Sequence, residues 1–506
     1  MSAKILSNPE DILDTGQPFD VCIIGSGPAG TVLGKRLVER GIRTVIVESG
    51  GSLLRWFVDF RLKGLAAYES SGDANYPVVR TRARALGGTS NFWTGRCERF
   101  HPSDFNGNPY VPEGNPWPIS YDDIEHYYER AEATLRVRGG VPSQYAPPRR
   151  NGFPFSPKTD ISTLQAMVKD LGVTVDESPT ATPAKSFRFF RVQKEILPGF
   201  TSSPAATLLS GMTVTRLLAD SSRCIVGAQA CTLDGVTKVI RAKKFVACCG
   251  GIETPRLLLL SKSGAFPNGI GNSYDRVGRG FNEHAGINCY GKIRHRKGTV
   301  YPRHKIGRSH QMYEQFRSEG LGSVLPVFIQ SWVFPHHLIQ PKLRDIPGVL
   351  AGMVGRTTRP TFYIGATIEM EPYDENRVTL AKEAKDRFGD PLAHLSYSFT
   401  AKDRLTLDRT QQMIFNMFDR LEATDISEAE VTWSRHHIGT CRMGDDPKAS
   451  VIDRHLRVHE SPNLYLCGSE VFVTGSACPP VLTITALAHR LSDHLVTQFG
   501  KQVAEQ

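Results

Sequence analysis

The segment Phe19 to Glu48 constrains this chain more than any other. Val21, Ile23 and Ile24 make a short apolar strand, the turn Gly25-Ser26-Gly27-Pro28-Ala29-Gly30 follows at once, and Val32, Leu33, Leu37 and Val38 then recur at helical spacing. Gly41 stops that helix, and Thr44 to Val47 is a β-branched strand running into Glu48. In such a unit Gly25 permits the tight turn, Gly27 lets the backbone approach a pyrophosphate, and Gly30 lets helix and strand pack closely. The helix N-terminus faces the phosphates. Glu48, 18 residues beyond Gly30, stands where an acid accepts hydrogen bonds from ribose hydroxyls. The pattern reads as a Rossmann-like dinucleotide unit. A glycine-rich turn without a ligand is the plainer alternative, and the motif alone does not choose FAD over NAD.

At 506 residues the chain is long enough for two to four domain-sized units. A hydrophobic fraction of 40% and a charged fraction of 22% are those of an ordinary globular protein. The 61 basic against 51 acidic residues leave +10, little for this length. The basic stretches Arg80 to Arg84 and Lys292 to Lys297 lack the interleaved aromatics of a nucleic-acid groove, so no nucleic-acid partner is expected. No uninterrupted apolar window reaches about 18 residues, and the start, Met1 to Asp20, is polar; the expectation is a cytoplasmic chain with no membrane span. Ten cysteines without regular spacing imply neither a disulfide framework nor a metal site, and none is expected.

After Glu48 comes a mixed stretch, Gly50 to Val79, then a glycine loop at Gly87-Gly88 suited to lie across a bound cofactor. Ser120 and Asp123 mark the start of a helix over Tyr121 to Val137. Met212 to Ala219, Ile225 to Leu233 and Val236 to Val246 are β-like, ending in the strand Phe245 to Cys249 before Gly250-Gly251. A helix is predicted to begin near Thr254-Pro255, with proline in its first turn. Gly280 to Thr432, with alternation at Arg377 to Leu380 and Leu392 to Phe399, reads as a mainly antiparallel sheet supporting a pocket. Asn463 to Leu466 is a strand leading into Gly468-Ser469, and Thr483 to Val496 is helical after Pro479-Pro480.

Three segments in this order resemble the glucose-methanol-choline (GMC) oxidoreductases: Phe19 to Gly50, the loop Arg84 to Arg96, and His436-His-Ile-Gly-Thr-Cys-Arg-Met-Gly444 through Arg490; Lys244 to Arg256 adds a fourth. The resemblance implies a Rossmann-like α/β FAD-binding domain assembled from discontinuous segments, 1–105, 205–279 and 433–506. With it goes an α+β substrate domain, 106–204 and 280–432, built on a largely antiparallel sheet. It carries over Gly25, Ser26, Gly27, Gly30 and Glu48 as cofactor contacts, joined by Gly87, Gly88, Asn91, Trp93 and Thr94 of the loop. Val214 resembles the position whose backbone meets adenine. Gly468 and Ser469 resemble a second flavin-contacting turn, and Thr483, opening the last helix, is carried over with them. Each of these can equally be a turn residue, and Trp93 taken alone is more often core. Some pyranose-oxidising relatives attach flavin through a histidine in this loop; Phe92 stands there in this chain, which implies non-covalent FAD.

Alcohol oxidation requires a base to remove the hydroxyl proton while hydride leaves carbon for flavin. His436, in His-x-x-Gly-Thr, matches the family's catalytic histidine, and a pKa near 6.5 suits it to that work. His437 is its candidate partner, although an adjacent histidine pair before a Gly-Thr turn can also be structural. The family's second His or Asn falls on Pro479, which has no side-chain donor or acceptor. Cys478 beside it reads as a small packing residue. The resemblance therefore implies an FAD-dependent enzyme oxidising a CH–OH group of a sugar, glycoside, aminoglycoside or related polyol, with oxygen, a quinone or a redox protein as electron acceptor. Pro479 leaves open a flavoenzyme with atypical, lyase-like chemistry, and a non-catalytic dinucleotide-binding protein is the third alternative.

Overall fold

Six strands lie parallel in one sheet, in the order Lys4–Leu6, Ala206–Ser210, Thr44–Glu48, Phe19–Ile24, Ala242–Ala247 and Leu464–Leu466. The computed structural model describes residues 4–6, 17–74, 76–77, 81–157, 160–183, 190–293, 305–331 and 361–500; Arg80, Val79, residues 294–297 of the second basic stretch and most of the polar start lie outside them. Val21, Cys22, Ile23, Val45, Ile46, Phe245 and Val246 are fully buried, which explains why these strands are continuous apolar runs rather than alternating ones. Helix Pro28–Val38 begins with proline at its first turn and packs along the final helix Val481–Gln498. The strands Met212–Ala219, Ile225–Thr232 and Thr237–Ile240 form a separate three-stranded antiparallel sheet.

A second six-stranded sheet runs Glu430–Trp433, Ala285–Lys292, Thr361–Ile368, Val324–Ser331, Lys305–Arg308 and Asp176–Glu177, antiparallel throughout. One face carries Ile287, Cys289, Phe328, Phe362 and Ile364 against Ile414, Met417 and Phe418 of helix Ala401–Arg420. That helix lies in a stretch expected to be sheet, although its start signal is present in the sequence. The Thr400 hydroxyl accepts from the Asp403 N–H at 3.1 Å, and the Asp403 carboxylate accepts from the Thr400 N–H at 3.0 Å.

Two expectations are corrected. Arg377–Lys385 and Pro391–Ser396 are strands, but they pair with each other and with Tyr68–Ser71 in a small mixed sheet, apart from the larger antiparallel one. The helix expected near Thr254-Pro255 begins at Gly250, and Pro255 lies inside it. Proline has no N–H for the carbonyl four residues back, that of Gly251. The Thr440 hydroxyl donates to that carbonyl instead, at 2.8 Å. The lost helical hydrogen bond is thus replaced from the Gly-Thr turn after His436-His437.

Candidate active site

The turn between Phe19–Ile24 and Pro28–Val38 has the shape its glycines dictate. Gly25 sits at φ +103, where a Cβ would stand 2.6 Å from the Cys248 carbonyl oxygen, and a Cβ on Gly30 would fall 2.0 Å from the Gly25 carbonyl oxygen. Gly27 differs: a Cβ there would meet nothing within 4 Å, and no side chain caps the helix it precedes. Across this opening lies the loop Gly87-Gly88, at φ +82 and +56, with a Cβ on Gly88 only 3.2 Å from the Gly27 Cα. The Gly87 N–H donates to the Ser26 hydroxyl at 3.2 Å, and the Asn91 amide braces the loop by donating to the Leu86 and Gly88 carbonyls at 2.9 Å. Glu48 accepts from the Ser26 N–H and hydroxyl, at 3.0 and 2.7 Å, and from the Gly50 N–H at 2.8 Å. Burial raises its carboxyl above the usual range. An open backbone cradle at an uncapped helix N-terminus, with a buried acid at the next strand end, fits the diphosphate and ribose of a dinucleotide.

The other expected cofactor contacts sit in varied local settings. Val214 follows Thr213, whose hydroxyl pairs with Ser49 at 2.7 Å, so it neighbours the end of Thr44–Glu48. The Trp93 indole donates to the Phe190 carbonyl at 2.6 Å, while Thr94 and Phe92 are exposed, Phe92 edge-on to Phe57. Gly468 and Ser469 follow strand Leu464–Leu466, and the Ser469 hydroxyl donates to the His437 carbonyl at 2.6 Å. Thr483 is wholly buried in the final helix, its hydroxyl 2.9 Å from that of Tyr128.

The strand approaching His436 is irregular. Ala285 pairs with Trp433, whereas Asn282 and Ile438 exchange both backbone hydrogen bonds at 2.9 Å, a register shift of two residues taken up near Arg435 at φ +65. The shifted register sets His284 opposite His436. Their Nδ1 atoms are 2.9 Å apart, and the His284 Nε2 is 3.1 Å from the Gly475 carbonyl oxygen. Glu283 clamps both backbones, accepting from the His284 and His436 N–H groups at 2.7 Å each. His437 points elsewhere, as neighbours on an extended chain do. Its Nε2 is 2.9 Å from the Tyr76 hydroxyl, which donates to Glu283 at 2.7 Å, and Phe281 lies beside its ring. Burial pushes His284 down to about 4, His437 down to about 3 and Glu283 up to about 7. His436 is held well below the usual histidine range by burial, with His284, His437 and Arg308 adding like-charge repulsion.

His284, absent from the sequence reading, belongs to the face of the antiparallel sheet opposite its apolar core. On the same face the Tyr363 hydroxyl donates to the Asn288 side-chain oxygen, and the Asn288 amide donates to the Thr432 hydroxyl at 2.9 Å. Glycines keep this row clear: a Cβ on Gly286 would lie 2.9 Å from the Thr432 hydroxyl, and one on Gly365 2.8 Å from the Asn288 oxygen.

The loop Thr474–Pro480 completes the site and is tied from below. Ser476, at φ +60, donates its N–H to Glu369 at 3.0 Å, and the Tyr313 hydroxyl meets its Oγ at 2.5 Å. Arg317 bridges Asp104 and Glu369 beneath them. Pro479 is buried and contributes no polar side-chain atom.

GMC oxidoreductase family profiles match residues 19–286 and 372–488. Fructose dehydrogenase large subunit from Gluconobacter japonicus is 24% identical, over 95% of this chain and 98% of that protein. Paromamine 6'-oxidase from Streptomyces fradiae is 26% identical, over 95% and 92%. Among solved structures, formate oxidase of Aspergillus oryzae RIB40 superposes with a TM-score of 0.65 at 16% identity, over 96% of this chain and 99% of that one, which shows a shared fold.

Proposed function

This chain belongs to the GMC oxidoreductase family, a flavoprotein oxidoreductase with an FAD-binding domain, and from that premise we propose that it oxidises a CH–OH group of a sugar, glycoside, aminoglycoside or related polyol, with His436 as base. The observation that carries the reading is the pairing of two functions on one sheet face. A neutral histidine stands at one end, and the hydroxyl and amide row Tyr363–Asn288–Thr432 stands along it. Similarity to a fructose dehydrogenase and a paromamine oxidase supports a hydroxyl-rich substrate.

We assign the FAD diphosphate to the cradle of Gly25, Ser26, Gly27 and Gly30 under the Gly87-Gly88 loop, and the ribose to Glu48. Asn91, Trp93, Thr94, Val214, Gly468, Ser469 and Thr483 complete the proposed cofactor set. FAD, when bound, supplies the two-electron acceptor for the C–H bond. His436 takes the hydroxyl proton at Nε2. Its depressed pKa keeps it unprotonated near neutral pH, which leaves a ring lone pair free for the proton while making the imidazole a weaker base than a solvated histidine. Asn288, Tyr363 and Thr432 bond the remaining hydroxyls, which orients one carbon and disfavours simple alcohols. His437 shapes the site through its bond with Tyr76. Phe92 offers no nucleophile to flavin, so the FAD is held without a covalent bond.

The test is anaerobic flavin reduction across a panel of alcohols, sugars and aminoglycosides. His436→Ala should keep its FAD yet reduce the flavin about 10²- to 10⁴-fold more slowly, the range of a positioned general base. A near-normal rate in that variant, with collapse in His437→Ala, would transfer the role to His437.

A further inference from the structure

We propose that His284 is a positioning residue that fixes the tautomer of His436, so that a chain running from the Gly475 carbonyl through His284 to His436 leaves the His436 Nε2 as the proton acceptor. The inference rests on the reading of His436 as base.

The argument uses only what each atom can do. The Gly475 carbonyl oxygen is an acceptor, so the His284 Nε2 3.1 Å away must carry the hydrogen. His284 is fully buried and neutral near pH 7, so one ring nitrogen must lack a proton, and this is Nδ1. That Nδ1 lies 2.9 Å from the His436 Nδ1, which must then donate. A neutral His436 with its hydrogen on Nδ1 presents a bare lone pair at Nε2. Without the partner, the hydrogen is free to move to Nε2 and block it.

The chain is rigid at both ends. Gly475 precedes Ser476, whose N–H and hydroxyl are fixed by Glu369 and Tyr313, and the two histidine backbones share the Glu283 carboxylate. Gly475 sits close against the pair: a Cβ there would stand 3.3 Å from the Asn282 amide nitrogen and 3.4 Å from the His284 Nε2, a tight fit that a few tenths of an ångström would relieve. The charged and titratable groups facing the pair are Glu283 and His437 from its own strands, Arg308 from Lys305–Arg308, and Glu369 below the loop. When His436 takes up a proton, the His284 lone pair remains its acceptor. In the proton transfer the substrate O–H bond breaks and an N–H bond forms at the His436 Nε2, no bond within the histidine pair breaks, and His284 stays neutral.

Two measurements test this. In protein labelled with nitrogen-15 histidine, long-range nitrogen–proton spectra near pH 7.5 should show His436 protonated at Nδ1, and His284→Phe should move that hydrogen to Nε2. The readout needs no substrate and stands whether or not His436 is the base. In anaerobic stopped flow with the most reactive alcohol of the panel, His284→Phe should lower the limiting rate of flavin reduction roughly 10- to 100-fold with KM little changed. His284→Gln should recover most of the loss, because one amide can donate to Gly475 and accept from His436. His436 protonated at Nε2 in the unaltered protein overturns the proposal, as does a His284→Phe rate equal to that of the parent. Loss of FAD and melting temperature in both variants, with the tautomer unchanged, assigns His284 a packing role only. If no compound in the panel reduces the flavin, the proposed function fails while the spectra still decide the histidine pair.

Discussion

Gly27→Ala separates the cofactor cradle from the fold that carries it. Gly27 has φ −65 and ψ −172, which any residue adopts, and a Cβ there meets no protein atom within 4 Å. The protein itself has no steric reason for glycine. Loss of unfolded-chain freedom favours alanine by about 0.4–1 kcal/mol. The poorer N-cap preference of alanine opposes this by a similar amount, so stability should change by less than about 1 kcal/mol. A bound diphosphate, in contrast, must pass where the methyl stands. Losing one backbone hydrogen bond to a charged phosphate costs about 1.5–3 kcal/mol, or roughly 10- to 150-fold in Kd at about 1.4 kcal/mol per tenfold. Titration of apoprotein with FAD by flavin fluorescence, beside thermal melts of the same apoprotein, measures both quantities. Gly30→Ala is the contrast: its Cβ would fall 2.0 Å from the Gly25 carbonyl oxygen, so it should damage the apoprotein as well. An FAD affinity within threefold of the parent in Gly27→Ala would refute the placement of the diphosphate.

Thr440→Val removes the hydroxyl that replaces the N–H missing at Pro255 and should destabilise the protein by about 1–3 kcal/mol. In a Pro255→Ala background, where a backbone N–H can reach the Gly251 carbonyl, the same change should cost at least about 1 kcal/mol less; additive effects in denaturant melts would exclude the replacement. Glu283 has its folded pKa raised to about 7 by burial, so the stability it contributes is complete below its unfolded value and is lost as pH rises through about 7. Relative to the parent, Glu283→Gln should therefore gain about 3 kcal/mol between pH 4.5 and pH 8, at about 1.4 kcal/mol per pKa unit; a constant difference in melting temperature would contradict it. Since Phe92 cannot bond to flavin, acid-denatured protein should release its FAD into the ultrafiltrate, and flavin left on the precipitate would show a covalent link.

Much of the molecule was legible because the signals are local. The turn Gly25 to Gly30 joins strand to helix by backbone geometry that adjacent residues specify, and the Ser120–Asp123 capping box opens Tyr121–Thr134 for the same reason. Continuous apolar runs marked the buried parallel strands, and alternation marked the antiparallel region. Reading broke down where one element borrows from another. Pro255 reads as a helix start because the sequence does not show the Thr440 hydroxyl reaching the Gly251 carbonyl from 189 residues away. The capping box that opens helix Ala401–Arg420 stands among residues whose alternation reads as sheet.

What the sequence determined by itself was the dinucleotide unit, the family and the presence of an adjacent histidine pair, since each is written in contiguous residues. What only the tertiary structure decided was where each member of that pair is placed and what it touches. A two-residue register shift brings His284 to His436, 152 residues apart, while the alternation of an extended chain turns His437 away to Tyr76. A proton's place on an imidazole depends on what its other nitrogen touches, and such a contact comes from strand register and loop position, which no run of neighbouring residues encodes.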